Sequence, residues 1–205
     1  MDRHGTSPSS IAMTVFFAVI GYISTALHTL RAQQHRGRVE RVNQQLRELY
    51  GPLLACVTAS KASYDAMLSQ AKRDGIEPEK FRQRMRANPS GPAAAAYREW
   101  VKAVLMPLSE QAARRVIDRA DLLEGSGMEP HLMQLVAHVS AYKVVMARWA
   151  EGSTTDFSAM PYPDGILDWI NESYAMLKQR QADLLGISAD GKQGSPLMQV
   201  IASRL

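Results

Sequence analysis

The strongest pattern along the chain is a run without charge. Ile11 to Leu30 reads IAMTVFFAVIGYISTALHTL, twenty residues with no Asp, Glu, Lys or Arg. As a helix it extends roughly 30 Å, the thickness of a bilayer's hydrocarbon core. A cleaved signal peptide needs a positive leader, a shorter apolar core and an A-x-A-like site; here Arg3 is offset by Asp2 and the run ends at Leu30-Arg31. The pattern predicts an uncleaved transmembrane helix over 11–30, rather than a signal peptide or a buried helix of a soluble domain. A short N-terminal tail, 1–10, precedes it.

Helical periodicity continues past Leu30 with no linker. Val39, Val42, Leu46, Leu49, Leu53 and Cys56 recur at steps of three and four, the seam of a helix packed on another helix, so the anchor should run on as a stalk. Gly51-Pro52 interrupts the seam, and because proline lacks an amide donor and disfavours helical geometry in the residue before it, a kink or a fresh start at Pro52 is expected. The segment from 75 to 92, with Gly75, Pro78, Pro89, Gly91 and Pro92, reads as a connection holding at most a short helix. A second long helix should start near Pro92, bend at Pro107 and close near Gly125. A third should start at Glu129-Pro130, with proline at the first helical position, and run to Gly152. The fourth carries Ile166, Ile170, Tyr174, Leu177 and Leu184 to Gly186. No stretch alternates with period two. The predicted fold is all-α: an N-terminal transmembrane helix continuing into a stalk, then an antiparallel bundle of about four long helices. Stalk and bundle span 31–186, and 187–205 reads as a flexible C-terminal tail.

Composition narrows the class. The chain has 205 residues, 46% hydrophobic and 21% charged, which fits one globular body plus an appendage and excludes wholesale disorder. Its single cysteine, Cys56, excludes a disulfide-stapled scaffold and any zinc site built on several thiolates.

Charge gives the topology. Arg3 alone precedes the apolar run, whereas Arg31, Arg36, Arg38, Arg41 and Arg47 follow it against Glu40 and Glu48. The positive-inside rule then puts the N-terminus outside and the C-terminal domain in the cytoplasm, in a bacterial inner membrane or its organelle equivalent. Residues 31–124 hold seventeen Lys plus Arg against eleven Asp plus Glu, and residues 125–205 hold six against eight. Arg31, Arg36, Arg38 and Arg41 are therefore candidate contacts for anionic lipid headgroups, and the Lys80, Arg82, Arg84, Arg86 run is a second basic patch. Plain solubility is the competing account of this charge. No nucleic-acid motif accompanies it, so nucleic acid is not an expected partner. Within the span, Thr14, Ala18, Gly21 and Thr25 form a stripe of small side chains along which a second helix could pack.

Catalytic constellations are weak throughout. Gly186 to Lys192 fits G-x-x-x-x-G-K, but Gln193 stands where Ser or Thr is needed and the motif trails a helix instead of opening one. His28 with His35, and His131 with His138, are each seven residues apart, about 10.5 Å along a helix, too far to share one ion. His138 reads as a core or interface histidine bonded to a neighbour such as Tyr142, one turn on. Cys56, beside Leu53 and Val57, reads as a small buried hydrophobe with no local base to activate it. Asp168 with Glu172 and Asp118 with Asp121 read as solvated faces with ion pairs. Trp100, Trp149 and Trp169 each fall on a different predicted helix and suit packing in a shared core. With His138 and Tyr142 they are the candidate pocket or interface. No cofactor, metal site or catalytic set is expected, and the chain reads as a non-enzyme.

Several segments carry a resemblance. The apolar anchor running into RVERVNQQLRELYGPLLA, then EWVKAVLMPLSEQAARRVIDRADLL, then LMQLVAHVSAYKVVMARW and ILDWINESYAMLKQRQADLLG resembles a group of uncharacterised, mostly bacterial single-pass membrane proteins with an N-terminal anchor and a helical cytoplasmic domain. The matching positions are Leu49-Tyr50-Gly51-Pro52-Leu53, Met106-Pro107-Leu108, His138 and Trp149. The resemblance implies an anchored helical domain and carries over no activity, cofactor or catalytic residue. The functional expectation is a membrane-anchored interaction, scaffold or accessory subunit with a protein partner or self-association; the alternative is a ligand-binding or sensory bundle at the membrane.

Overall fold

A computed structural model describes residues 8–73, 75–125, 127–155 and 160–187, and every regular element among them is helical. In chain order these are α1 (Pro8–Gln44), α2 (Gly51–Arg73), α3 (Pro78–Ala87), α4 (Pro92–Trp100), α5 (Met106–Asp118), α6 (Pro130–Ala150) and α7 (Ile166–Leu185). Two π-helical turns, Gln45–Tyr50 and Val101–Leu105, join α1 to α2 and α4 to α5, and a 3-10 turn, Ala120–Leu122, follows α5. Of the described residues, 8–42 and 181–187 belong to one compact unit and those between 43 and 180 to the other.

In the first unit, α1 covers the whole uncharged run without a break. Phe16, Phe17, Val19, Ile20, Ile23, Leu27 and Leu30 are all exposed. Among the described residues no helix is long and apolar enough to cross a membrane, which departs from the transmembrane expectation for 11–30. The side chains of Ile11, Ala12, Thr14 and Val15 lie outside the described ones. Past Leu30, α1 turns polar at Arg31, Gln33, Gln34, His35 and Arg36. The tails 1–7 and 188–205 likewise lie outside the described residues, and with them most of the glycine-lysine segment 186–192.

The second unit is a helical bundle. α2 and α5 run antiparallel and in step: Gln45 meets Leu122, Glu48 meets Arg119 and Cys56 meets Gln111. α5 also packs against α6. Small side chains make this close approach feasible, since Ser109, Ala112 and Ala113 are buried on α5. Around them Leu49, Leu53, Leu132, Leu135, Ile170 and Leu177 are fully buried. Truncating any one of these to alanine removes apolar contacts and leaves a cavity, at about 2–5 kcal/mol each.

Helix boundaries follow local chemistry. Pro78, Pro92 and Pro130 occupy the first helical position after extended caps at Glu77, Gly91 and Glu129, where a missing amide costs nothing. α6 ends where Gly152 turns left-handed, at φ 94°, and the Ser153 amide reaches back to the Arg148 carbonyl.

The prolines inside the helices, where a kink or a fresh start at Pro52 and a bend at Pro107 are expected, each follow a π-helical turn. At Pro52 the chain inserts a π-helical turn just before it, so that the Gly51 amide donates to the Leu46 carbonyl, five residues back. Pro107 repeats the arrangement, with the Met106 amide donating to the Val101 carbonyl. A wider turn moves the upstream carbonyls, so a proline ring that would clash in a regular α-helix is accommodated and the helix carries on. Gly51 is needed for this on α2: a Cβ there would sit 2.6 Å from the Leu46 oxygen. The helix through Pro107 closes at Asp118, earlier than expected, because the 3-10 turn tightens its exit. The segment from 75 to 92 does hold a short helix, α3, ten residues long. It buries Phe81 and Met85, one turn apart, beneath its basic positions.

Candidate functional site

The predicted site residues are drawn to three places. On α6, His138, Tyr142 and Trp149 are buried one turn or two apart. His138 and Tyr142 have ring centroids 4.8 Å apart, and Tyr142 meets Trp149 edge to face at 6.3 Å. Lys102 lies 5.9 Å from the Trp149 ring, within cation–π range. The His138 Nδ1 hydrogen bond goes to the Met160 carbonyl at 2.9 Å, not to Tyr142; the Tyr142 ring lies against it at a tilt of 48°, its hydroxyl committed elsewhere. That hydroxyl shares a 2.8 Å hydrogen bond with the hydroxyl of Tyr97 on α4. Tyr162 closes the cluster, its ring 5.4 Å from and perpendicular to His138.

A carbonyl can only accept, so Nδ1 of His138 carries the proton and Nε2 the lone pair. Burial pushes the His138 imidazole below its ordinary value, against the backbone carbonyls of Met160 and Pro161, which favour the protonated ring. The Tyr97 phenol is pushed well above the ordinary range, first by burial and then by Tyr142. Tyr142 rises through burial, and burial takes Tyr162 to about 12, although a bond to Ser60 works the other way. Near neutrality the cluster is therefore an uncharged polar core in which phenols and an imidazole tie α2, α4, α6 and the 160–163 segment together. Cys56 is half-buried on α2, its Sγ 3.8 Å from the Gln111 amide oxygen, and burial raises its thiol despite nearby Arg115. A thiol raised in this way is a poor nucleophile.

Trp100 belongs to a second place. With Tyr97, Tyr64 and Leu68 it packs on the buried trio Met67, Ala71 and Phe81. There the C-terminal half of α2 meets α3 and α4, leaving a cleft of about 540 Å³. Its floor is Met67, Ala71, Phe81 and Trp100, and Gln70, Arg84, Asn88 and Glu99 line it as well. The size is that of a small-molecule site.

Trp169 belongs to the third, 6.2 Å from the ring of Tyr50. The π-helical turn carrying Tyr50 directs three polar groups at the exit of α5. The Gln45 amide donates to the Leu122 carbonyl at 2.9 Å, Glu48 pairs with Arg119 at 3.1 Å, and the Glu124 amide donates to the Tyr50 hydroxyl at 3.3 Å. Glu124 in turn pairs with Arg180 on α7 at 2.8 Å. Gln45 is buried and its amide satisfies a carbonyl at the end of the 3-10 turn that follows α5.

Of the stripe of small side chains expected within 11–30, Ala18, Gly21 and Thr25 are exposed on α1, and the Thr14 side chain lies outside the described ones. Arg31, Arg36, Arg38 and Arg41 are exposed on the same helix. His131 bonds Glu129 at 2.7 Å while His138 bonds Met160, so the two turn to separate partners. Among the described residues no three His, Cys, Asp or Glu side chains gather as a metal site would require.

Sequence reasoning passed over Tyr97, Tyr162 and Gln45. A phenol on an apolar stripe looks like any core aromatic, and Tyr162 stands between Pro161 and Pro163 with no periodicity to mark it. Gln45 did carry a signal, as the polar neighbour of Leu46 on an otherwise apolar seam. Comparison with protein-family models, with curated proteins and with solved structures finds no match to this chain.

Proposed function

We propose that the chain is a single-pass membrane protein, akin to the single-pass group it resembles, whose cytoplasmic helical bundle works as an interaction or accessory subunit. The observation that carries the proposal is the uncharged run of 11–30 on a helix whose large apolar side chains are exposed. Such a surface is unfavourable in water by about 25 cal/mol for each Å² of apolar area and is at home in lipid. Hydrogen bonding inside the run points the same way: Thr25 Oγ1 donates to the Gly21 carbonyl and Thr29 Oγ1 to the Thr25 carbonyl, both at 2.9 Å. In hydrocarbon every hydroxyl needs such an internal partner. Arg31, Arg36, Arg38 and Arg41 then sit just past the span, where headgroup phosphates lie. The small side chains Ala18, Gly21 and Thr25 give a neighbouring helix room to approach.

The test is extraction of the full-length chain from native membranes. It should stay in the pellet through an alkaline carbonate wash and enter the supernatant only with detergent; release by carbonate alone overturns the anchor. Cross-linking before solubilisation should yield species heavier than the monomer, and a monomer alone overturns the accessory role. A second reading, a ligand-binding bundle, is favoured by the cleft of about 540 Å³ between α2, α3 and α4.

A further inference from the structure

The α2–α3–α4 cleft has a marked division of chemistry. Met67, Ala71 and Phe81 on its floor are buried, and Trp100 completes an apolar surface. The polar groups that line it, Gln70, Arg84, Asn88 and Glu99, belong to residues exposed to solvent. No ionisable side chain is buried in the floor. Nucleotides and sugars need donors and acceptors deep in the site, where an unpaired ligand polar group would be costly. This cleft offers them none, so its interior selects for apolar surface alone and any charge on the ligand must stay at the rim.

The rim fixes the sign and the size of that charge. The side chains of Arg84 and Glu99 make no hydrogen bond or ion pair with any described residue, whereas Arg82 on the same helix is paired with Glu79. Lys80, one turn before Arg84 on α3, adds to its positive field. An arginine fork takes a carboxylate through two parallel hydrogen bonds. Glu99 on the same cleft opposes a doubly charged phosphate more than a monoanion. Beside Phe81 and Trp100 the floor has the flexible thioether of Met67 and the small Ala71, an adaptable apolar surface that accommodates a flexible aliphatic chain. We propose that the cleft binds a free long-chain fatty acid, its aliphatic chain on Met67, Phe81 and Trp100 and its carboxylate at Arg84.

The proposal develops the ligand-binding reading and does not rest on the anchor, because the cleft lies wholly within residues 67–100. The full-length chain, in whichever fraction it occupies, is irradiated with a palmitate analogue bearing a diazirine near the end of its chain, and the adducts are mapped by mass spectrometry. Adducts are expected on Met67, Phe81 or Trp100, suppressed by excess palmitate and about three- to tenfold less effectively by hexadecanol. Ala96→Trp, which fills the cleft from an exposed position, should abolish them. Arg84→Gln should weaken binding about three- to tenfold, as loss of a surface charge-assisted contact does. Ser140→Trp, on the exposed face of α6, should change nothing. Circular dichroism on each variant separates lost binding from lost folding. Adducts confined to 11–30, cleft adducts unchanged by Ala96→Trp, or equal competition by hexadecanol and palmitate overturns the proposal. The carbonate wash judges the anchor independently.

Discussion

Gly51→Ala tests the π-helical turn most directly, because two opposed effects of known size meet at one methyl group. In an ordinary helix the change is favourable by about 0.8–1.0 kcal/mol, since alanine loses less backbone entropy than glycine. At Gly51 the new Cβ would stand 2.6 Å from the Leu46 carbonyl oxygen and 3.8 Å from Tyr174 Cε2. Ordinary carbon–oxygen contact begins at about 3.3 Å, so the turn must open by roughly 0.7 Å against a main-chain carbonyl that already accepts the Gly51 amide. Overpacking of this kind costs about 1–3 kcal/mol. The net expectation is a loss of about 0–2 kcal/mol, read as a lower urea midpoint by far-ultraviolet circular dichroism on the full-length protein in mild detergent. Gly37→Ala is the control: a Cβ there meets nothing within 4 Å, so helicity in α1 should hold or rise. Pro52→Ala should restore an amide and let the turn narrow, so Gly51→Ala and Pro52→Ala should not be additive. A gain in stability from Gly51→Ala approaching the unhindered value would refute the geometry of the turn.

Two further outcomes concern the aromatic core. Tyr97→Phe and Tyr142→Phe each leave one buried hydroxyl without its partner, so a double-mutant cycle in urea should give a coupling of about 1 kcal/mol; additive losses would mean that the two hydroxyls do not meet. Because burial holds the His138 pKa below its unfolded value, the unfolded chain binds more protons, and stability should fall as pH drops below about 6.5 and level off under the folded pKa. His138→Asn should flatten that decline, measured as urea midpoints between about pH 7.5 and 5, and an identical decline in the variant would remove His138 as its source.

Local chemistry was legible and spatial adjacency was not. The apolar recurrence of Leu132, Leu135 and Val139, and the prolines at 92 and 130, mark helices by features held within a few residues. Both π-helical turns escaped, because a five-back hydrogen bond is chosen by how a proline and its packing partners share space rather than by any local propensity. α3 was legible only as room for a short helix between Gly75 and Pro92, because cations at every second position mask the one-turn spacing of Phe81 and Met85. The three tryptophans looked alike in sequence. Only the packing of the helices sends Trp149 to the tyrosines, Trp100 to the cleft and Trp169 to Tyr50. Likewise the Tyr97–Tyr142 bond joins residues 45 positions apart, beyond the reach of any periodic reading.

The Gln45 amide waits for a carbonyl 77 residues further along the chain. At ribosomal speeds of about 5–20 residues per second, roughly 4–15 seconds separate the emergence of the two. Throughout that interval the apolar side chains beside Gln45 have no fifth helix to cover them. A chaperone, or early docking of the nascent segment elsewhere, has its natural window there, and a pause in translation placed before Leu122 would lengthen it.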